Sequence, residues 1–260
     1  MNESPLKSWV EPHGANAGAL LRLRLARPKA NLIDAEMIAA LKHAFDNNMN
    51  NQGILAALVD HEGPHFSFGA SVEEHMPEQC EQMLKSLHAL IGTMLDWHVP
   101  ILMAIRGQCL GGGLEFALAG HLMFLAPDAK LGQPEMKLGV FAPAASVLLP
   151  LRVGQARAED LLYSGRSIDA QTASAWGLAN EVAEDPSAAA LAYFEQHLSG
   201  KSAAALELAV RAAREPFAEI ARARLEDVET LYLERLMATR DAMEGLKAFI
   251  EKRQPKWEHR

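Results

Sequence analysis

The spacing of hydrophobic residues in the first 60 positions alternates between that of strands and that of helices. Leu21, Leu23 and Leu25 alternate with two arginines, which predicts a strand with one solvated face. Asp34 precedes apolar residues spaced by three or four positions over 37–45, which predicts a helix capped by Asp34. The apolar run 54–59 predicts a buried strand. The chain therefore begins as strand, helix, strand.

The same alternation continues to about residue 176 and then stops. Apolar residues between Pro77 and Pro100 recur every three or four positions, which predicts an amphipathic helix ended by Pro100. Segments 101–105 and 121–126 predict strands, 107–113 a glycine-rich turn, and 114–119, 155–163 and 170–176 helices. Beyond Pro186, segments 203–213, 225–237 and 241–253 are helical by spacing and composition. We therefore expect an α/β core over 1–195 and a helical region over 196–260.

Composition narrows the class of protein. With 260 residues, 49% hydrophobic and 22% charged, the chain is an ordinary globular protein, and its net charge of −8 disfavours nucleic acid or an anionic membrane as partner. Cys80 and Cys109 form no C-x-x-C pattern, which suits a reducing compartment. Glu3 precedes any lysine, and arginines interrupt the apolar stretch 15–25, unlike a signal peptide. A cytoplasmic protein is expected.

One apparent metal motif fails on physical grounds. Residues 61–65, HEGPH, match the H-E-x-x-H zinc pattern, whose two histidines must lie one helical turn apart. Gly63 and Pro64 fall between them, and proline in a helix interior costs about 3 kcal/mol. A polar turn is the better interpretation, and no metal site is expected.

A run of three glycines leads into the helix predicted after residue 113. Glycines after a buried strand allow backbone N–H groups to point at a ligand, and a helix N-terminus favours negative charge there. Glu115 follows in the first helical turn, where the helix dipole should stabilise its ionised form and keep it available as a base. A Gly-Ala turn in FSFGAS (66–71) is able to supply a second N–H donor. Together these features suit an oxyanion.

A second carboxylate strengthens the catalytic interpretation of Glu115. Glu135, in GQPE (132–135), also follows a strand and a turn. Two carboxylates whose pKa values are driven apart can act as acid and base, which adding or removing water requires. Considered alone, Glu115 would be interpreted as a solvated glutamate in the first turn of a helix, and Glu135 as an ordinary acidic residue in a turn.

In this order, the pieces resemble the crotonase, or enoyl-CoA hydratase, superfamily over the whole chain. The resemblance implies an oxyanion hole formed by the N–H groups of Ala70 and Gly112, and catalysis by Glu115 and Glu135. It implies an α/β fold, a ClpP-like spiral of ββα units, with a C-terminal helical trimerisation region. GLKAFIEKR (245–253) is similar to the helix that reaches the coenzyme A of a neighbouring subunit. A homotrimer, or a dimer of trimers, is the expected assembly.

The resemblance also implies the ligand. The substrate would be an acyl-CoA thioester, with coenzyme A part of the substrate and no separate cofactor. Candidate contacts to coenzyme A are Arg27 and Lys29 at the first turn, with Phe249 and Lys252, or Arg253, of the tail.

Several sequence features bear on which acyl group is bound. HFSFGASVEEHMP, RGQCLGGGLE and GQPEMKLGVFAPAAS are most similar to hydratases of cyclic dienoyl-CoA thioesters from anaerobic aromatic degradation. Ser71 replaces the usual acid after the Gly-Ala turn, and 142–146 replaces a glycine-rich loop bordering the acyl pocket. A straight-chain enoyl-CoA hydratase, a double-bond isomerase and a non-catalytic acyl-CoA binding subunit stay open. Isomerisation needs only one carboxylate, so the pair counts against it.

Overall fold

The computed structural model describes residues 4–13 and 18–260. Glu3 and the start of the stretch 15–25, on which the expectation about a signal peptide depended, lie outside the described residues. The strands are β1 (Leu6–Pro12), β2 (Ala19–Leu25), β3 (Ile54–His61), β4 (Ile101–Ile105), β5 (Gln108–Leu110), β6 (Leu122–Leu125), β7 (Lys130–Gly132), β8 (Ser167–Asp169) and β9 (Glu181–Val182). The α-helices are α1 (Ala35–Asn48), α2 (Pro77–Leu95), α3 (Gly112–Leu118), α4 (Pro143–Val153), α5 (Gln155–Ser164), α6 (Ala170–Ala175), α7 (Pro186–His197), α8 (Ala203–Thr230) and α9 (Arg240–Ile250).

Two sheets run side by side through the core. The larger has the strand order β1-β2-β3-β4-β6-β9, parallel throughout except for β1, and the smaller has the order β5-β7-β8. A strand of the large sheet, a strand of the small sheet and a helix follow one another twice, as β4-β5-α3 and as β6-β7-α4. After β3, the single bridge from Ser67 to Cys109 takes the place of the second strand before α2. The chain is thus a repeat of ββα units.

Several predicted elements are confirmed. The carboxylate of Asp34 accepts from the N–H of Met37 at 3.0 Å and caps α1. The apolar stripe of α2 is buried, although the helix ends at Leu95 rather than at Pro100. The buried strands β3, β4 and β6 lie within two residues of their predicted bounds.

The predicted solvated face of the first strand is wrong in one respect. Arg22 is only 7% exposed, because its guanidinium and that of Arg24 both bind the buried carboxylate of Asp60, at 3.0 and 2.6 Å. The edge of the sheet is formed by β1, which the sequence pattern did not predict because only Leu6 of its seven residues is buried. β2 is therefore an interior strand.

The C-terminal region differs from the three separate helices expected. α8 runs unbroken for 28 residues with Pro216 inside it, and a π-helical turn (Leu231–Leu236) continues it. Ala218, Ala221 and Leu225 are buried in the same core as the sheets, through contacts with α4 and α2. This packing supplies free energy that offsets the cost of a proline inside a helix. None of the helices within 4–13 and 18–260 has an apolar stretch long enough to cross a bilayer.

Candidate active site

Two segments of the chain, the loop that contains Ser67 and the segment that runs from β5 into the glycine run, meet through backbone hydrogen bonds. The N–H of Ser67 donates to the carbonyl of Gln108, and the N–H of Leu110 donates to the carbonyl of Ser67, both at 3.0 Å. Gly69 has φ of +106°, which allows the chain to turn at that point without strain. The end of the first loop is therefore fixed beside the glycine run of the second.

The backbone nitrogens of Ala70 and Gly112 lie at this junction. A Cβ built on Gly112 would come 3.1 Å from the backbone nitrogen of Ala70, so the two backbones are in van der Waals contact. Within the described part of the chain, neither N–H donates to a protein acceptor. Gly112 is also the first residue of α3, where the helix dipole favours negative charge. Two adjacent N–H groups without acceptors are suited to hold a carbonyl oxygen on which charge develops.

The neighbours of Gly112 in the run contact other parts of the site. Gly111 has φ of +50°, and a Cβ built there would lie 2.5 Å from Oε1 of Glu135. A Cβ built on Gly113 would lie 2.6 Å from Cβ of Ser67. The absence of side chains therefore brings the helix start close to both the carboxylate and the first loop.

Glu115 is 4% exposed, and its carboxylate accepts from the N–H of Ala145 at 2.9 Å. Burial raises its pKa to about 7, while the N–H groups of Ala145 and Ala144 oppose the rise. The expectation that the helix dipole keeps this residue ionised is therefore wrong in direction, because loss of hydration outweighs the dipole. The two donors belong to the first turn of α4, where sequence analysis placed a loop; Pro143 at the helix start was the available signal.

Glu135 lines the same cavity in a short 3-10 helix (Pro134–Leu138). Burial and, next, the charge of Glu115 raise its pKa to about 8. With its amide nitrogen turned toward the carboxylate, buried Gln133 donates to both Glu135 oxygens, at 3.0 and 3.2 Å. Sequence reasoning missed Gln133, since a glutamine before a proline has no distinguishing pattern. The predicted carboxylates are thus brought together, and near neutral pH the pair retains a proton.

The two carboxylates and the two N–H groups border one cavity of about 560 Å³. Its wall is largely apolar and comes from the loop 68–75, from α2, and from the segment that joins the 3-10 helix to α4. The side chains on these walls include Phe68, Val72, His75, Met83, Leu84, Leu87, Val140 and Phe141. A cavity of this size admits a small acyl group.

The C-terminal segment lines the cavity of its own chain, whereas the resemblance implied that it reaches the coenzyme A of a neighbouring subunit. Phe249 and Arg253 are among its lining residues. The close approach depends on Gly245, because a Cβ there would lie 2.0 Å from the carbonyl oxygen of Leu138. Arg253 is bound to the carboxylates of Glu244 and Glu251.

The remaining candidate contacts to coenzyme A do not line the cavity. Arg27 binds the carboxylate of Asp34 at 2.5 Å, and Lys29 is exposed with φ of +90°. Their turn contacts a residue that lines the cavity, since the carbonyl of Ala30 accepts from the N–H of Phe68. Lys252 is exposed. The roles of these residues stay predictions.

The histidines of HEGPH are not on a helix. His61 ends β3, and Gly63 turns the chain with φ of +80° before His65. Across the described residues, no group of three or more histidine, cysteine or acidic side chains is placed to hold a metal ion.

Comparison with known proteins agrees with this geometry. The family model described as enoyl-CoA hydratase/isomerase matches residues 15–260. The cyclohexa-1,5-dienecarbonyl-CoA hydratase of Thauera aromatica is 62% identical over 257 residues, covering 99% of this chain and 98% of that protein. A carnitinyl-CoA dehydratase of Proteus mirabilis is 31% identical, covering 95% and 98%. A crystal structure of an enoyl-CoA hydratase/isomerase from Pseudoalteromonas atlantica superposes with a TM-score of 0.85 at 28% identity, covering 97% of this chain and 99% of that one.

Proposed function

The chain belongs to the enoyl-CoA hydratase/isomerase family, and we propose that it is a hydro-lyase that hydrates cyclohexa-1,5-diene-1-carbonyl-CoA to 6-hydroxycyclohex-1-ene-1-carbonyl-CoA. The identity of 62% to a hydratase of that name supports the substrate. The observation that carries the chemistry is the pair of carboxylates, Glu115 buried and Glu135 partly buried, beside two adjacent backbone N–H donors. Anaerobic degradation of aromatic acids is the setting in which such a diene would arise.

The reaction begins with the thioester carbonyl held by the N–H groups of Ala70 and Gly112. Glu115, with the lower pKa of the pair, takes a proton from water as the oxygen attacks the ring carbon β to the carbonyl. The electron pair moves into a dienolate, whose oxygen carries the developing charge between the two donors. Preorganised donors in a site shielded from water stabilise that charge by several kcal/mol.

Protonation then occurs at the far end of the diene. Glu135, with the higher pKa, delivers its proton there, and the remaining double bond lies next to the thioester. One water is gained, one carbon–oxygen and one carbon–hydrogen bond form, and the proton that Glu115 gained restores the pair. The two roles are those that the family resemblance implies, and the proton belongs to the pair as a unit.

The product masses from a panel of acyl-CoA thioesters test this function. Heavy-oxygen water should place one solvent oxygen on the ring carbon β to the thioester, and the cyclic diene should react far faster than crotonyl-CoA. Equal rates would exclude the cyclic diene as preferred substrate, unchanged mass with altered ultraviolet absorption would indicate an isomerase, and no change would indicate a binding subunit.

Glutamine variants test the two carboxylates. Glu115→Gln and Glu135→Gln should each lower hydration by about 100- to 10,000-fold, while affinity for the thioester changes less than about tenfold because the oxyanion donors are backbone groups. Glu78→Gln, which changes an exposed carboxylate in the first turn of α2 that does not line the cavity, is the matched control. Full hydration by Glu115→Gln would contradict the assignment.

The proposal extends to assembly and to ligands. Coenzyme A, as part of the substrate, is the only organic group required, and a cytoplasmic homotrimer or dimer of trimers is proposed. The C-terminal helices expose apolar side chains, which supports their burial against another copy of the chain. These side chains include Leu208 and Ile220 on α8 and Leu231 on the π-helical turn. A monodisperse monomer by light scattering at micromolar concentration would contradict that assembly.

A further inference from the structure

A histidine on the wall of the cavity has no part in the reaction described above. His75 ends the short 3-10 helix Glu73–His75 and borders the cavity with Val72 and Met83. Its Nδ1 lies 2.7 Å from the carbonyl oxygen of Ser71. Because a carbonyl oxygen only accepts hydrogen bonds, Nδ1 must carry a proton.

The state of the opposite ring nitrogen follows from this contact. Burial lowers the pKa of His75, so the ring is neutral near pH 7 and Nε2 is a hydrogen-bond acceptor. Within the described part of the chain, Nδ1 is the only ring nitrogen of His75 with a protein hydrogen-bond partner. The turn is fixed by the Ser71 hydroxyl, which donates to the Glu73 carboxylate at 2.8 Å, and by the N–H of His75, which donates to the carbonyl of Val72. His75 therefore presents one fixed acceptor among apolar side chains.

An acceptor of this kind selects its ligand by chemistry. It offers nothing to a phosphate or a thioester carbonyl, which are acceptors themselves. The acyl group of the cyclic diene has no donor, whereas the hydrated ring has one hydroxyl. Wall residues Met83, Leu84 and Val72 are apolar and offer no side-chain oxygen or nitrogen to that hydroxyl. The carboxylates of Glu115 and Glu135 border the same cavity and exchange protons with the ligand, so the second hydrogen of the attacking water is the one left for His75.

We propose that His75 is a specificity-determining residue whose Nε2 accepts a hydrogen bond from the hydroxyl group of the hydrated acyl-CoA. This inference rests on the proposed function and adds the group that distinguishes the hydroxylated ring from the diene. The hydroxyl is thereby oriented for the reverse reaction, in which it leaves as water.

The test compares ligands with and without the hydroxyl in the intact enzyme. His75→Met replaces the acceptor with an apolar side chain of similar length, and His75→Gln retains a hydrogen-bond acceptor. His43→Leu is the control, because it changes an exposed histidine that does not border the cavity. The KM for dehydration of 6-hydroxycyclohex-1-ene-1-carbonyl-CoA should rise roughly three- to tenfold in His75→Met, the worth of one hydrogen bond. The inhibition constant of cyclohexane-1-carbonyl-CoA should stay constant, and His75→Gln should restore the KM at least in part.

Each outcome decides the matter. If His75→Met weakened the binding of both thioesters equally, the inference would be overturned, because that result indicates a structural role or a contact to the coenzyme A amides. If it weakened the binding of neither, the inference would be overturned as well. If wild-type enzyme fails to hydrate the diene, the proposed function fails instead, so the two failures are distinct. Should His75→Met not fold, nitrogen-15 NMR of wild-type histidines gives the same answer: the Nε2 signal should move with the hydroxy thioester and not with the cyclohexane thioester.

Discussion

Replacing the buried base should make the protein more stable and inactive at once. In the folded protein the pKa of Glu115 lies at about 7, against an ordinary value of 4.5. The folded state therefore binds more protons than the unfolded state between these two pH values, and stability falls as the pH rises through that window. Below pH 4.5 the buried carboxyl group does not lower the stability, and above pH 7 the loss of stability is complete. Glu115→Gln removes this loss because an amide does not ionise.

The size of the effect follows from the same two pKa values. The folded and unfolded pKa values of Glu115 differ by about 2.5. At about 1.36 kcal/mol for each pH unit, ionising this carboxyl group in the folded protein lowers the free energy of unfolding by about 3 kcal/mol at pH 9. For a chain of this length that corresponds to a rise in Tm of roughly 6 to 12 °C. Loss of the charge also lowers the pKa of Glu135, which acts in the same direction.

Urea unfolding at pH 5, 7 and 9 measures the effect. The gain of Glu115→Gln over wild type should grow by about 2.5 kcal/mol from pH 5 to pH 9, because part of the effect is already present at pH 5. Subtracting the pH 5 value cancels whatever the amide itself costs in the site. Glu226→Gln, on the exposed face of α8, is the control and should show no such growth. A gain independent of pH would refute the argument that a buried charge is the cause.

Three further predictions follow from other parts of the fold. Gly112→Ala places a Cβ 3.1 Å from the nitrogen of Ala70, so kcat should fall by about 100- to 1,000-fold while the protein remains folded by circular dichroism. Asp60→Asn leaves Arg22 and Arg24 without their carboxylate and should lower the free energy of unfolding at pH 7 by about 3 kcal/mol in urea titration. Although burial opposes it, the Arg24 hydrogen bond lowers the pKa of Asp60, so this loss should shrink only as the pH drops below 4. Gly245→Ala should push α9 off the cavity mouth and raise KM for every acyl-CoA thioester several-fold, with kcat little changed, as steady-state kinetics will show.

Elements with a strong repeating pattern could be predicted, and those fixed by distant contacts could not. The stripe of α2 and the cap at Asp34 are local signals, and both are confirmed. The edge strand β1 buries only one side chain, and β5, β7 and β8 are three residues long, too short for a period to be visible. Residues 142–146 read as a loop because the resemblance places one there, yet Pro143 occupies the first helical position of α4 and the helix continues through Pro150.

The residues of the candidate site could also be predicted from the sequence in part, whereas their electrostatic properties could not. Glu115, Glu135, Ala70 and Gly112 were chosen from motif and resemblance, and the structure brings them to one cavity. Their electrostatics could not be foreseen, because the pKa of Glu115 depends on burial by segments remote in sequence. The direction of the tail was also hidden, since it depends on the contact between Gly245 and the carbonyl of Leu138.

The three consecutive glycines have a consequence for how this sequence can change. A run of one residue type suggests a spacer whose members are interchangeable, yet each of these faces a different neighbour: the Glu135 carboxylate, the Ala70 nitrogen and the Ser67 side chain. Inserting or deleting a single glycine would shift all three pairings together and turn the start of α3 by about 100°. The length of this loop should therefore be invariant under selection for activity, and a library that varies it should yield only inactive members.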